Sequence, residues 1–207
     1  MNPDAIAYLR AGDSEFAKHI DRIGPVRLPP GKSRDPFLAL MEAIVFQQLA
    51  GAAARAIWGR VLKLFDEQTP NAELLLSLRY DQLRGAGLSR GKVLAMRDVA
   101  ASKVNGIIPT SRGISRMSEA AIYERLTAIR GVGPWTVEML LIFSLRRPDI
   151  MPTSDYGVRK GVQVLYRKRS LPTPNQVEII SKRWRPHRTT AALYLLRIAE
   201  KAKPSKR

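Results

Sequence analysis

A chain of 207 residues with 45% hydrophobic composition is long enough to bury a core in one domain, or in two small lobes that share an interface. Its 35 Lys and Arg against 18 Asp and Glu leave a formal charge of +17, far beyond what solubility needs, so a polyanionic partner is expected, nucleic acid first. The absence of cysteine excludes disulfides, thiol catalysis, thiolate zinc sites and cysteine-ligated iron–sulfur clusters, and two histidines, His19 and His187, are too few for a histidine-rich metal site.

A basic surface also suits an anionic membrane or a solvated face, so motifs must decide among these partners. The N-terminus "MNPDAIAYLRAGD" has no basic-then-apolar signal layout, and no apolar run approaches the ~18–20 residues of a membrane span. An intracellular protein with no membrane partner is therefore expected. Further on, "RDPFLALMEAIVFQQLAGAAARAIWGRVLKLF" predicts a helix with Asp35 as N-cap and Pro36 at the first helical position, interrupted at Gly51. Thr69-Pro70 predicts another helix start before "NAELLLSL".

Two later segments echo each other. "LRGAGLS" (83–89) and "IRGVGPW" (129–135) both read apolar-Arg-Gly-x-Gly between helical stretches, which fits hairpins between helices and equally two ordinary glycine-terminated helices. In the second, Gly131 suits a left-handed cap, Gly133 a turn without a Cβ, and Pro134 a helix start that wastes no donor. The bare amides of such a turn can meet a phosphate oxygen at the positive end of a helix dipole; a plain packing corner accounts for "GVG" as well. After "WTVEMLLIFSL" comes a Pro-containing loop with Asp155 at the start of "YGVRKGVQVL", where an N-cap is the simplest role. Thr173-Pro174-Asn175-Gln176 carries the Thr-x-x-Gln of a capping box, and the tail "KAKPSKR" reads as a solvated terminus or a nuclear address. Only "GPVRLPP" and "NGIIPT" lack helical character, so an all-α fold of roughly eight to twelve short helices is expected.

The pair "IRGVGPWTVEML" and "MPTSDYGVRKG" resembles the helix–hairpin–helix DNA glycosylases, most closely the 3-methyladenine DNA glycosylase II branch. The likeness runs from about Asp35 to Lys201 through "FQQLAGAAA", "GLSRGKVLAM" and "SKRWRPHRTTAALYLLRIA". It implies one glycosylase unit over residues 1–207, with two helical lobes around a DNA-binding cleft. One lobe would be 36–150, with the hairpin at 122–144; the other would be 1–35 with 151–207.

The resemblance also assigns residues. Asp155 matches the catalytic aspartate; Gly131, Gly133 and Thr136 match the hairpin positions that hold a phosphate; Leu88 matches the apolar wedge that fills the gap left by an extruded nucleotide. Trp135, Met139, Tyr156 and His187 fall where the base pocket is lined, and the carbonyls of Thr127, Arg130 and Val132 match a site for a monovalent cation, Na+ or K+. Leu88, Trp135 and Met139 suit ordinary core positions too.

Departures from the pattern carry expectations as well. With about thirty-four residues before the first matching helix, an N-terminal β-rich lobe is expected to be missing. The family's "WKPW" becomes Trp184-Arg185-Pro186-His187, so imidazole replaces an aromatic wall. Trp135 stands where strand-cleaving relatives place a lysine nucleophile. The resemblance thus implies a monomeric, monofunctional hydrolase of damaged double-stranded DNA, with no required cofactor and no iron–sulfur cluster. Its substrates would be alkylated purines, 3-methyladenine and 7-methylguanine, and its location the bacterial cytoplasm at the nucleoid or the eukaryotic nucleus. A non-catalytic structural DNA-binding module, and a glycosylase for uracil or mismatched thymine, stand as alternatives.

Overall fold

Small polar residues, glycines and prolines cut the apolar periodicity into short helices. The computed structural model describes residues 3–26, 35–49 and 51–202, and among these thirteen α-helices and no strand are found. In chain order they are α1 (Pro3–Gly12), α2 (Ser14–Ile23), α3 (Pro36–Phe46), α4 (Gly51–Leu62), α5 (Ala72–Ser77), α6 (Tyr80–Gly85), α7 (Arg90–Val104), α8 (Ser111–Ser115), α9 (Glu119–Thr127), α10 (Pro134–Met139), α11 (Tyr156–Leu165), α12 (Pro174–Ser181) and α13 (Arg188–Lys201). The number exceeds the expected eight to twelve because helices of five or six residues, such as α5 and α8, stand as separate elements. None of the described helices is long and apolar enough to cross a membrane. Residues 27–30 of the segment Gly24–Pro30 and the tail 203–207 lie outside the described residues.

Two units divide the chain, residues 31–140 and residues 1–30 with 141–207. In the first, Asp35 caps α3 by accepting from the Phe37 amide at 2.8 Å, with Pro36 opening the helix as the sequence predicts. The break before α4 is not at Gly51, which is the first residue of α4; it falls on Gln47 and on Gln48, whose φ is 55°. The cause is tertiary. Lys92 in the first turn of α7 donates from Nζ to the carbonyls of Val45 at 2.6 Å and Gln47 at 2.8 Å, satisfying acceptors at the end of α3. Similarly, α5 starts after Asn71, whose Oδ1 accepts from the Leu74 amide at 2.7 Å, two residues beyond Thr69. The α7 helix packs on α3 and α5, and Leu40, Met41, Ile44, Leu75, Val93 and Met96 are wholly buried. The two echoing glycine segments do lie between helices, α6 to α7 and α9 to α10, yet they fold differently. In the first it is the second glycine, Gly87, that takes positive φ (98°); in the other it is the first, Gly131 (80°).

In the second unit α11 and α13 approach so closely that a Cβ on Gly161 would lie 2.3 Å from the Leu195 carbonyl oxygen. Phe16 of α2 meets Trp184 and Tyr194 with ring centroids 5.2 and 6.1 Å apart. Beside this aromatic core sits Asp13, 7% exposed. It caps α2 through the Phe16 amide at 3.1 Å and accepts from the Tyr166 hydroxyl and from Trp184 Nε1 at 3.4 Å. Burial, then the hydrogen bond to Asp13, raise the Tyr166 pKa above its ordinary value. The capping box of Thr173 and Gln176 forms as the sequence predicts, through bonds of 3.2 and 2.9 Å.

Candidate nucleic-acid interface and active site

The α9–α10 hairpin begins where α9 runs out at Thr127. The Ile129 amide bonds the Leu126 carbonyl at 3.1 Å, the Val132 amide bonds the Ile129 carbonyl at 3.0 Å, and Gly131 turns the chain at φ 80°. Glycine is required there twice over, because a Cβ would stand 2.3 Å from the Ala95 Cβ. Gly133 differs from expectation. Its φ is −94° and nothing lies within 4 Å of a notional Cβ, so it acts as an N-cap without a side chain, not as a strained turn residue. Gly131 is exposed and Gly133 partly so, while Thr136 is 1% exposed. The Thr136 side chain therefore fixes the hairpin from inside and is not placed to bear a phosphate.

The residue that holds Thr136 escaped the sequence reading. Gln47 Nε2 donates to both the Gly131 carbonyl and Thr136 Oγ1, each at 2.9 Å, while its own backbone carbonyl takes the Lys92 ammonium. One amide thus joins the end of α3 to both sides of the hairpin. A polar side chain closing an otherwise apolar helix was the available signal, since it demands a partner. Burial lowers the Lys92 pKa, although its two carbonyl partners keep the ammonium well placed.

Leu88 needs correction. Expected as the wedge, it is 1% exposed among the core residues of its unit, and a buried side chain cannot fill a gap in DNA. An exposed leucine lies instead beside Gln47 and Gln48: Leu49, at 39%.

In the other unit, Asp155 caps α11, with Oδ1 accepting from the Val158 amide at 2.9 Å. The carboxylate is half-buried at the N-terminus of α11. The loop before it is clamped. Arg188, whose side chain is 12% exposed, meets Asp149 through Nε–Oδ1 at 2.9 Å and Nη2–Oδ2 at 3.1 Å, and Nη2 also reaches the Asp149 carbonyl at 2.7 Å. Thr189 adds a bond from its hydroxyl to the Arg147 carbonyl at 2.6 Å and receives the Ile150 amide at 3.0 Å. Sequence reasoning missed Asp149, Arg188 and Thr189, because an ion pair across 39 positions leaves no periodic trace.

The four expected pocket residues divide between the units. Trp135 and Met139 are half-buried on α10, in residues 31–140. Tyr156 is 63% exposed on α11, and His187 is half-buried at the start of α13, both in the other unit. The His187 amide donates to the Trp184 carbonyl at 2.7 Å, and its ring meets Tyr8 edge-on, with centroids 5.1 Å apart and planes at 71°. Among the described residues no group of three His, Cys, Asp or Glu could hold a metal ion.

Residues 41–186, which include the glycine hairpin between α9 and α10 and the aspartate that caps α11, match the family model of the HhH-GPD superfamily base excision DNA repair proteins. The chain belongs to that superfamily. DNA-3-methyladenine glycosylase 1 of Schizosaccharomyces pombe is 35% identical over 94% of this chain and 86% of its own length. The solved structure of the Schizosaccharomyces pombe 3-methyladenine DNA glycosylase Mag1 in complex with abasic DNA superimposes with a TM-score of 0.93 at 34% identity, covering 96% of this chain and 98% of that one. A DNA-3-methyladenine glycosidase from Bacillus halodurans gives a TM-score of 0.77 at 33% identity, over 96% and 89% of the two chains.

Proposed function

We infer that this protein is a DNA glycosylase of base excision repair that flips alkylated purines out of duplex DNA and hydrolyses their N-glycosidic bond. The observation that carries this reading is Asp155: a carboxylate held by a helix cap, on a loop pinned by the Asp149–Arg188 pair, in a member of this superfamily. Relatives named as 3-methyladenine glycosylases support the substrate class. The protein acts wherever the DNA is, at the nucleoid of a bacterium or in a eukaryotic nucleus.

The parts divide the work. The exposed backbone of the hairpin at Gly131 and Gly133 takes a DNA phosphate, which fixes register without reading sequence. Flipping costs a few kcal/mol, least for a damaged or mispaired base, and Leu49 is the apolar side chain offered to the vacated space. Cleavage develops oxocarbenium character on the sugar; Asp155 stabilises that charge and orients or deprotonates the attacking water. Methylation at adenine N3 or guanine N7 makes the base cationic, so it leaves without a general acid and favours an aromatic face such as that of Tyr156, exposed on the helix that Asp155 caps. One carboxylate then suffices.

No strand cleavage follows. Trp135 supplies no amine for a Schiff base, and the Lys92 ammonium is engaged by two carbonyls, so the product is an intact abasic site that borohydride does not trap. A Na+ or K+ ion would be held by the carbonyls of Thr127, Arg130 and Val132. Their neighbours Leu126, Ile129 and Gly131 already accept hydrogen bonds, and the intervening three accept none of the turn's bonds among the described residues. Such an ion would stiffen the turn and add positive charge facing a phosphate.

The test is Asp155→Asn. Asparagine caps a helix about as well as aspartate, so the fold survives, while at least ~2.7 kcal/mol of transition-state stabilisation, roughly a hundredfold in rate, is lost and DNA binding remains. Near-wild-type release of methylpurines by the folded variant would overturn the assignment and leave a DNA-binding module.

A further inference from the structure

Of the large aromatic side chains exposed among the described residues, Tyr8 faces His187, which the resemblance to the glycosylases assigns to the base pocket. On α1 the buried stripe is Ala5 and Leu9, at 2% and 1% exposure, and Tyr8 stands off that stripe with 44% of its surface bare. Its ring nevertheless has a fixed neighbour, the His187 imidazole at 5.1 Å. The Tyr8 ring covers one side of His187 and leaves the rest of its own surface open.

The geometry does not depend on the ring contact alone. Asp13, at the α1–α2 corner, takes the Phe16 amide at 3.1 Å, the Tyr166 hydroxyl and Trp184 Nε1 at 3.4 Å, and the Trp184 carbonyl in turn takes the His187 amide at 2.7 Å. On its other side His187 is followed by Arg188, locked to Asp149. Buried polar groups therefore join the start of α2 to the turn that carries His187, and Tyr8 stands on α1 ahead of that corner. Rings held in advance lose little freedom when a flat ligand arrives.

We propose that Tyr8 is a specificity-determining residue of the base site, its phenol ring offering an aromatic face for cationic purines beside the His187 imidazole, which stands at 71° to it. The proposal rests on the glycosylase reading given above. The phenol ring supplies an electron-rich face that attracts the positive base.

The experiment uses the full chain, with single-turnover release of 7-methylguanine from duplex DNA and, separately, affinity for a duplex carrying an abasic site, which has no base to touch. Tyr8→Leu keeps apolar bulk and is expected to slow release roughly threefold or more, while abasic-site affinity stays within about twofold. Tyr8→Phe and Tyr8→Trp, which keep an aromatic face, restore the rate and guard against a folding defect in the leucine variant. Unchanged release by Tyr8→Leu, equal losses in all three variants, or parallel loss of abasic-site affinity and thermal stability would overturn the proposal and return Tyr8 to packing. If wild type releases methylpurine, Asp155→Asn does not, and Tyr8→Leu matches wild type, only the Tyr8 assignment fails. If wild type releases none, both readings fail.

Discussion

Replacing Gly131 with alanine probes the hairpin where the structure is least forgiving. Two costs can be separated. At φ 80° an L-residue pays about 1–2 kcal/mol for the left-handed conformation. The new methyl would also sit 2.3 Å from the Ala95 Cβ and 3.3 Å from its Cα, well inside the ~3.5–4.0 Å of comfortable carbon contact. Neither atom belongs to a flexible side chain, so the hairpin must shift, and overpacking of this kind costs about 1–3 kcal/mol. Together Gly131→Ala should destabilise residues 31–140 by about 2–5 kcal/mol, a large share of the stability of an ordinary domain. Urea denaturation of Gly131→Ala, Ala95→Gly and the double variant forms a cycle. Ala95→Gly alone costs about 1 kcal/mol as a mid-helix glycine. In the double variant the 2.3 Å clash with the Ala95 Cβ disappears while the approach to the Cα and the backbone strain stay, so a coupling of about 1–3 kcal/mol should appear. DNA affinity, measured by fluorescence anisotropy on an abasic-site duplex, should fall with the single variant and partly recover in the double. A Gly131→Ala protein within about 0.5 kcal/mol of wild type, or a cycle with no coupling, would refute the claim that close approach to α7 dictates this glycine.

Gln47→Leu keeps the shape but removes the donor to Gly131 and Thr136; at roughly 0.5–1.5 kcal/mol for each hydrogen bond it should weaken DNA binding severalfold while the single-turnover rate at saturating enzyme changes little. A lower saturating rate with unchanged affinity would contradict that role. Leu88→Ala should behave as a core truncation, lowering stability in denaturant titration by about 2–5 kcal/mol and affecting single- and double-stranded substrates alike. A selective loss on duplex DNA in a fully stable protein would reinstate Leu88 as the wedge. The Tyr166 pKa is raised by burial and by Asp13, so the folded state holds that proton more tightly than the unfolded chain; its stabilisation is complete below the ordinary tyrosine pKa near 10 and is lost as pH rises beyond it. Thermal melts should therefore show a decline in stability above about pH 10 that is shallower in Tyr166→Phe; equal slopes would exclude Tyr166 as its source.

Local rules account for what the amino-acid order determined unaided. Asp35, Asp155 and Thr173 cap the helices that follow them because a short oxygen-bearing side chain before an apolar run can satisfy bare amides wherever that helix lies in the fold. The all-helical class follows from apolar spacing, and the left-handed turn at Gly131 from the glycine itself. Wherever a distant residue intervenes, the order alone was insufficient. Lys92, 45 positions on from Gln47, binds the end of α3, which stops five residues before the glycine that seemed to end it. "LRGAG" and "IRGVG" share letters but not dihedral angles. The Ala95 methyl presses on Gly131, whereas the first segment has Arg60 bonding the Ala86 carbonyl at 2.9 Å. Burial, too, is a property of packing and not of spacing: Leu88 and Leu49 are both leucines near glycines, and only the tertiary structure put the first in the core and left the second in solvent. The same holds for Tyr8 and His187, 179 positions apart, whose rings meet, and for Asp13, whose buried carboxylate binds the Tyr166 hydroxyl and the Trp184 indole at once, a long-range polar demand that no helical period encodes.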